Sequence, residues 1–162
     1  MSGAVERAVA AFLGEAEIDW EKLKPVMCFI VLWNRLEARC GNHLSLARLL
    51  SESKRVAGSA NFNTLKYTPH IEFFKQRYTA NPDFLQGLFR VGNGEAAVRQ
   101  SVVNLLSNAA LTPQDQLQGV LMVPYRIRNN LFHGNKETSH LYSQIDLFEH
   151  VNEVLCLFQE DI

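Results

Sequence analysis

The run Leu141-Tyr142-Ser143-Gln144-Ile145-Asp146-Leu147-Phe148-Glu149-His150-Val151-Asn152-Glu153-Val154-Leu155-Cys156-Leu157-Phe158 sets Leu141, Ile145, Phe148, Val151, Leu155 and Phe158 three or four residues apart. Such a recurrence is one apolar stripe of a 3.6-residue helix. It predicts a closing helix over about residues 138–159. The same period recurs upstream. Val5, Val9, Phe12 and Leu13 give a short first helix that ends near Gly14. A second helix is expected from Pro25, a good first-turn residue, through Phe29, Trp33 and Leu36, with Gly41-Asn42 as its stop. It is apolar nearly all round, as a central core helix would be. A third runs from about Ser45 to Val56 on Leu46, Leu49 and Leu50.

Helical spacing returns over Glu95–Ser107, and again from Thr112-Pro113, a cap followed by a favourable first residue. Pro124 predicts a kink or a restart in that helix, and Gly134 its end. Between residues 58 and 94, Asn61, Asn63, Pro69, Asn81, Pro82, Gly87 and Gly92 break up short aromatic pieces, which reads as an insertion of short helices and loops. There is no strand alternation, repeat or linker. The expected fold is all-α: one domain over residues 1–162, a bundle of four to five main helices with an irregular short-helix insertion in the middle.

A chain of 162 residues, 47% of them hydrophobic, is long enough to bury a core of its own. No apolar run approaches the roughly 18 to 20 residues that cross a bilayer, and the first residues lack a basic-then-apolar leader, so no membrane association and a cytoplasmic location are expected. Cys28, Cys40 and Cys156 are too scattered for a disulfide framework or a zinc knuckle and read as free, mostly buried thiols. The net charge of −1 conceals an uneven distribution. Residues 1–21 hold five acids and one base, residues 137–162 six acids and no base, and residues 22–136 fifteen Lys or Arg against six Asp or Glu. A basic middle suits a polyanion such as RNA; two acidic surface helices flanking a solvated region describe it equally well.

The chemically pointed stretch is Tyr125-Arg126-Ile127-Arg128-Asn129-Asn130-Leu131-Phe132-His133-Gly134. On an ideal helix Arg128 and His133 are about 140° apart, whereas Asn129 and His133 share a face. RNA is cut without metal when a base removes the ribose 2′-hydroxyl proton and a cation holds the phosphoryl oxygens. Histidine titrates near neutrality and arginine grips phosphate bidentately, so His133 and Arg128 fit those two tasks, with Asn129 orienting phosphate or imidazole. Tyr125 and Arg126 are candidates to contact RNA by stacking and phosphate pairing, although a tyrosine among apolar residues is commonly core. A structural reading stands beside this one, in which Gly134 caps the helix, His133 meets its dipole and Arg128 lies on a solvated face.

The stretch resembles the active-site motif of the HEPN family (higher eukaryotes and prokaryotes nucleotide-binding domains): Arg, a polar residue often Asn, further residues, then His. The placement late in a helical chain, with one more helix after it, is similar too. The resemblance implies a metal-independent endoribonuclease with Arg128, Asn129 and His133 as catalytic residues, leaving a 2′,3′-cyclic phosphate and a 5′-hydroxyl. It implies action in a toxin–antitoxin or anti-phage system, an antitoxin or defence-complex protein as partner, and a homodimer. It also implies polar residues on the core helix aimed at the site, for which Glu37 and Asn34 are the candidates. Because the family includes inactive members, the alternative is a dimerisation, regulatory or nucleotide-binding module.

The angle between Arg128 and His133 leads to the expectation that two motif helices face each other across the dimer axis. His43, His70, His140 and His150 show no metal-ligand spacing and read as ordinary, His140 being a second candidate near the motif. No metal and no cofactor is called for. Phosphate-cradling glycine loops are absent, and Gly92-Asn93-Gly94 reads as a turn.

Overall fold

In the computed structural model, residues 3–41, 44–89, 96–107, 110–132 and 141–162 are described, with only the backbone at 12 and 132. Every regular element among them is helical. In chain order these are α1 Gly3–Leu13, α2 Trp20–Arg39, α3 Leu46–Ala57, α4 Thr68–Ala80, α5 Pro82–Leu88, α6 Ala96–Leu106, α7 Pro113–Phe132 and α8 Ile145–Asp161. Short 3₁₀ turns cover Thr64–Tyr67 and Tyr142–Gln144.

The core helix α2 starts five residues before Pro25, because Asp19 caps it by accepting from the Lys22 amide at 3.2 Å. Pro25 therefore sits inside the helix, where its missing N–H costs one bond near an exposed end. Its carbonyl also accepts from Asn152 Nδ2 of α8 at 2.8 Å. Further along, Gln159 Nε2 donates to the Leu32 carbonyl at 3.1 Å, and at the other end the Asp19 amide donates to the Tyr142 hydroxyl at 3.0 Å. Residue numbers rise together along both helices, so α2 and α8 lie side by side in the same direction. Between them Phe29 and Phe148 meet edge to face, ring centroids 5.6 Å apart. Both are fully buried, each contributing roughly 2–3 kcal/mol by removal from water.

Helix α7 runs through the middle of the molecule. Thr112 caps it as expected, accepting from the Asp115 amide at 3.1 Å. Pro124 neither ends nor restarts it, and Val120 to Val123 and Ile127 are buried. It packs against α3, α5, α6 and α8. The approach to α6 depends on Gly119, where a Cβ would lie 2.9 Å from Leu105 Cβ.

The middle of the chain is built of short helices and loops, as expected, but not every expected break is one. Pro69 opens α4 instead of breaking it, since proline is tolerated in the first helical turn. The helix then buries His70, Ile71, Phe74 and Tyr78 against the core. Asn81 caps α5 in turn, accepting from the Asp83 amide at 3.2 Å. Residues 90–94, with the expected glycine turn, lie outside the described residues, as do His43, Gly134 and 138–140. The thiols also differ from expectation: Cys40 is buried, whereas Cys28 and Cys156 are exposed on the outer faces of α2 and α8. No described helix is long and apolar enough to cross a membrane.

Candidate functional site

The last turns of α7 present neighbouring residues to opposite sides, and the two sides do different things. Arg128 turns toward α2, where Nη2 lies 3.3 Å from Glu37 Oε1. Its Nη1 donates to the Asn129 side-chain oxygen at 3.2 Å. The guanidinium carbon lies 5.9 Å from the Trp33 ring centre, within cation–π range. With side-chain exposures of 28% for Arg128 and 19% for Glu37, the pair is half-sunk in the seam between α2 and α7. Arg128 is thus not on a freely solvated face. Its charge is held in a partly desolvated notch, where an arginine is best placed to meet an anionic oxygen.

Arg126 points the other way. It is 1% exposed, donates from Nε to the Leu88 carbonyl at 3.0 Å and lies over the Phe89 ring at 5.6 Å. Asn130, one turn later, donates to the Leu88 carbonyl at 3.2 Å and accepts from Arg126 Nη2 at 3.5 Å. The two residues together satisfy carbonyls at the C-terminal end of α5 that the helix itself leaves unpaired. Burial lowers the Arg126 pKa from its ordinary value. The expected contact of Arg126 with RNA phosphate does not fit this placement, since the side chain is spent on anchoring α5. Tyr125 is half-buried with its ring centre 6.3 Å from that of Trp33, so it lies against the core edge beside Arg128.

Of the two candidates on α2, Glu37 joins the motif directly, and Asn34 is exposed one turn before it. His133 lies outside the described residues; the chain reaches it immediately after Phe132, the last residue of α7. Close by on the α2 side, Cys40 follows Glu37 by one turn. Burial pushes its thiol up, Glu52 adds to this, and Arg48, Arg39 and Arg55 oppose it, so three arginines surround this end of α2 and the adjoining α3. Arg48 and Arg55 are more than half exposed, and both reach Glu52.

A second cluster was invisible to spacing, because its members are 80 residues apart. Buried His70 on α4 and His150 on α8 approach at 3.0 Å between their Nδ1 atoms, so one ring donates and the other accepts. His150 stacks on Phe73 at 3.8 Å. Desolvation lowers the His70 pKa; Glu153, 3.5 Å from Nε2, pulls the other way but is 69% exposed and screened. Since the folded state then binds its proton less readily than the unfolded chain, this group's contribution to stability is complete above the unfolded histidine pKa of about 6.5 and is lost as pH falls below it. Urea midpoints should accordingly fall between pH 7.5 and 5.5, and His70→Gln should flatten that slope; an unchanged slope would show that other groups set it. Among the described residues no group of three or more His, Cys, Asp or Glu is arranged to hold a metal ion.

No known family model, no curated protein and no solved structure matches this chain.

Proposed function

We propose that the protein is a HEPN-type endoribonuclease that cuts RNA without a metal ion, with Arg128, Asn129 and His133 as its catalytic residues. The observation that carries this reading is the seating of Arg128, gripped by Glu37 and Asn129 in a notch beside Trp33, five residues before His133 in the sequence. In the proposed reaction His133 takes the 2′-hydroxyl proton, the freed oxygen attacks the adjacent phosphorus, and the bond to the 5′ oxygen breaks. That oxygen recovers a proton from the imidazolium, leaving a 2′,3′-cyclic phosphate and a 5′-hydroxyl. Arg128 stabilises the charge on the phosphoryl oxygens, and Asn129 and Glu37 fix its direction. The arginines around the end of α2 supply an approach surface for a polyanion.

The test is incubation of the purified protein with total RNA in excess EDTA. Cleavage should persist, and the fragments should carry cyclic phosphate ends. Loss in EDTA with recovery on adding magnesium would mean that the chemistry belongs to a metal. In the resembling family such enzymes serve toxin–antitoxin and anti-phage systems, so a restraining antitoxin or defence-complex protein, a cytoplasmic place of action and a homodimeric unit belong to this proposal.

The Glu37–Arg128 pair also favours a second reading, a clasp between α2 and α7 in a non-catalytic dimerisation, regulatory or nucleotide-binding module. The double exchange Glu37→Arg/Arg128→Glu separates the two. It would leave a clasp working and an enzyme dead.

A further inference from the structure

His70, Glu153 and Cys156 line one surface pocket, whose rim Lys66, Pro69 and Leu157 complete. None of them belongs to the Arg128 notch. Glu153 and Cys156 stand three residues apart on α8, so they share a face of that helix with their Cβ atoms roughly 5–6 Å apart. Two side chains at this spacing can hold one ion, as the Glu-x-x-His pairs of helical metal sites do. His70, only 4% exposed, enters from α4. Two helices thus bring together donors of three kinds: an imidazole nitrogen, a carboxylate oxygen and a thiol sulfur.

The spacing around His70 suits a metal ion better than a direct contact. Its Nε2 lies 3.5 Å from Glu153 Oε2, longer than the usual N–H···O range of about 2.7–3.2 Å. A tetrahedral zinc ion, with bonds of roughly 2.0–2.2 Å to nitrogen and oxygen, holds two such ligand atoms about 3.3–3.6 Å apart. On the other side of the ring, Nδ1 meets His150 Nδ1 at 3.0 Å. With His70 donating there and His150 accepting, the nitrogen that approaches Glu153 carries a lone pair instead of a proton. Metal-ligating histidines are held in this way, the second nitrogen bonded to an acceptor that fixes ring and tautomer. His150 is steadied in turn by its stack on Phe73 at 3.8 Å.

We infer that this pocket is a zinc site, with His70 Nε2, Glu153 and Cys156 as its protein ligands and a water molecule in the fourth position. The mixture of nitrogen, oxygen and sulfur selects zinc over magnesium or calcium, which take oxygen ligands. Charge balances as well. The carboxylate and the thiolate bring two negative charges to a divalent cation, and the thiol proton passes to solvent as the zinc–sulfur bond forms. Without the ion the three donors are not gathered at bonding distance. Gathering them moves only exposed groups: the Glu153 side chain is 69% exposed and Cys156 is exposed, so both can change rotamer while the buried imidazole stays in place. Lys66 does not oppose the cation, because its ammonium is committed to Asp161. The inference does not rest on the ribonuclease reading, and no part of its test uses RNA.

Titration calorimetry of chelator-stripped protein with zinc chloride should show one ion bound per chain, at micromolar affinity or tighter. Glu153→Gln and Cys156→Ser change exposed side chains and should keep the parent's helical circular dichroism. Each should weaken zinc binding by at least the roughly 10–100-fold that loss of even an orienting partner costs. Cys28→Ser, which removes the other exposed thiol, should leave the affinity unchanged. Cobalt(II) in place of zinc should show a thiolate-to-metal charge-transfer band, retained at saturation in Glu153→Gln and lost in Cys156→Ser. No stoichiometric binding, parental affinity in either ligand variant, dependence on Cys28, or a cobalt complex without the thiolate band would each overturn the site.

Discussion

RNA cleavage should fall by a factor of about 100 to 1,000 in Arg128→Ala, the range seen when one preorganised stabiliser of transition-state charge is removed. His133→Ala should lose at least as much, since no second base is assigned. Both variants should retain the parent's helical circular dichroism. The Arg128–Glu37 pair is partly exposed, at 28% and 19%, so its loss should cost only on the order of 1 kcal/mol. A large loss of activity with almost no loss of fold is therefore the signature of a catalytic arginine. Glu37→Gln should land between: the guanidinium keeps its charge and Asn129 but loses the carboxylate that aims it. Full activity in His133→Ala would sink the catalytic reading whatever Arg128 does.

The opposite pattern is expected two residues away. Arg126→Ala should destabilise the protein by roughly 2–4 kcal/mol, because it empties a fully buried volume and leaves the Leu88 carbonyl and the Asn130 side chain short of a donor. In a domain of this size that corresponds to a fall in melting temperature of roughly 5–15 °C. Arg126→Lys should recover little, since an ammonium cannot reproduce the fork that reaches both the carbonyl and the amide. Amide exchange should quicken first in α5, whose C-terminal end this side chain ties down. A melting point within a degree or two of the parent would show that α5 is held by apolar contacts alone.

These two arginines show what sequence could and could not decide. Both stand in one motif, both are basic, and their 200° separation on a helix says only that they face apart. Which of them faces inward is set by α5, which docks from some forty residues upstream, and no local pattern encodes that docking. The motif helix, the closing helix and Thr112 as a cap were legible, because period and capping chemistry are local. The Asp19 cap was equally local but was eclipsed by Pro25, a stronger signal that here lies inside the helix. Pro69 misled in the reverse sense, read as a break where it begins a helix whose Ile71, Phe74 and Tyr78 already carried the period. Glu37 was reachable only through the family resemblance, and the His70–His150 contact was beyond any spacing rule because it joins separate helices.

The partnership of α2 with α8 also has a history within the life of each molecule. The hydrogen bonds that tie them span 123 to 127 residues of chain, and they close the most extensive contact among the described helices. Protein synthesis adds about 5–20 residues per second, so α2 leaves the ribosome some 6 to 25 seconds before the helix that covers it. For that interval Phe29 lacks the Phe148 ring that covers it, as Trp33 for most of it lacks Tyr125 of α7, and the nascent chain depends on chaperones or on transient collapse to keep them from other chains. Completion of this fold thus waits for the synthesis of α8, and a chain that stalls before α8 should be an aggregation-prone product, not a smaller working protein.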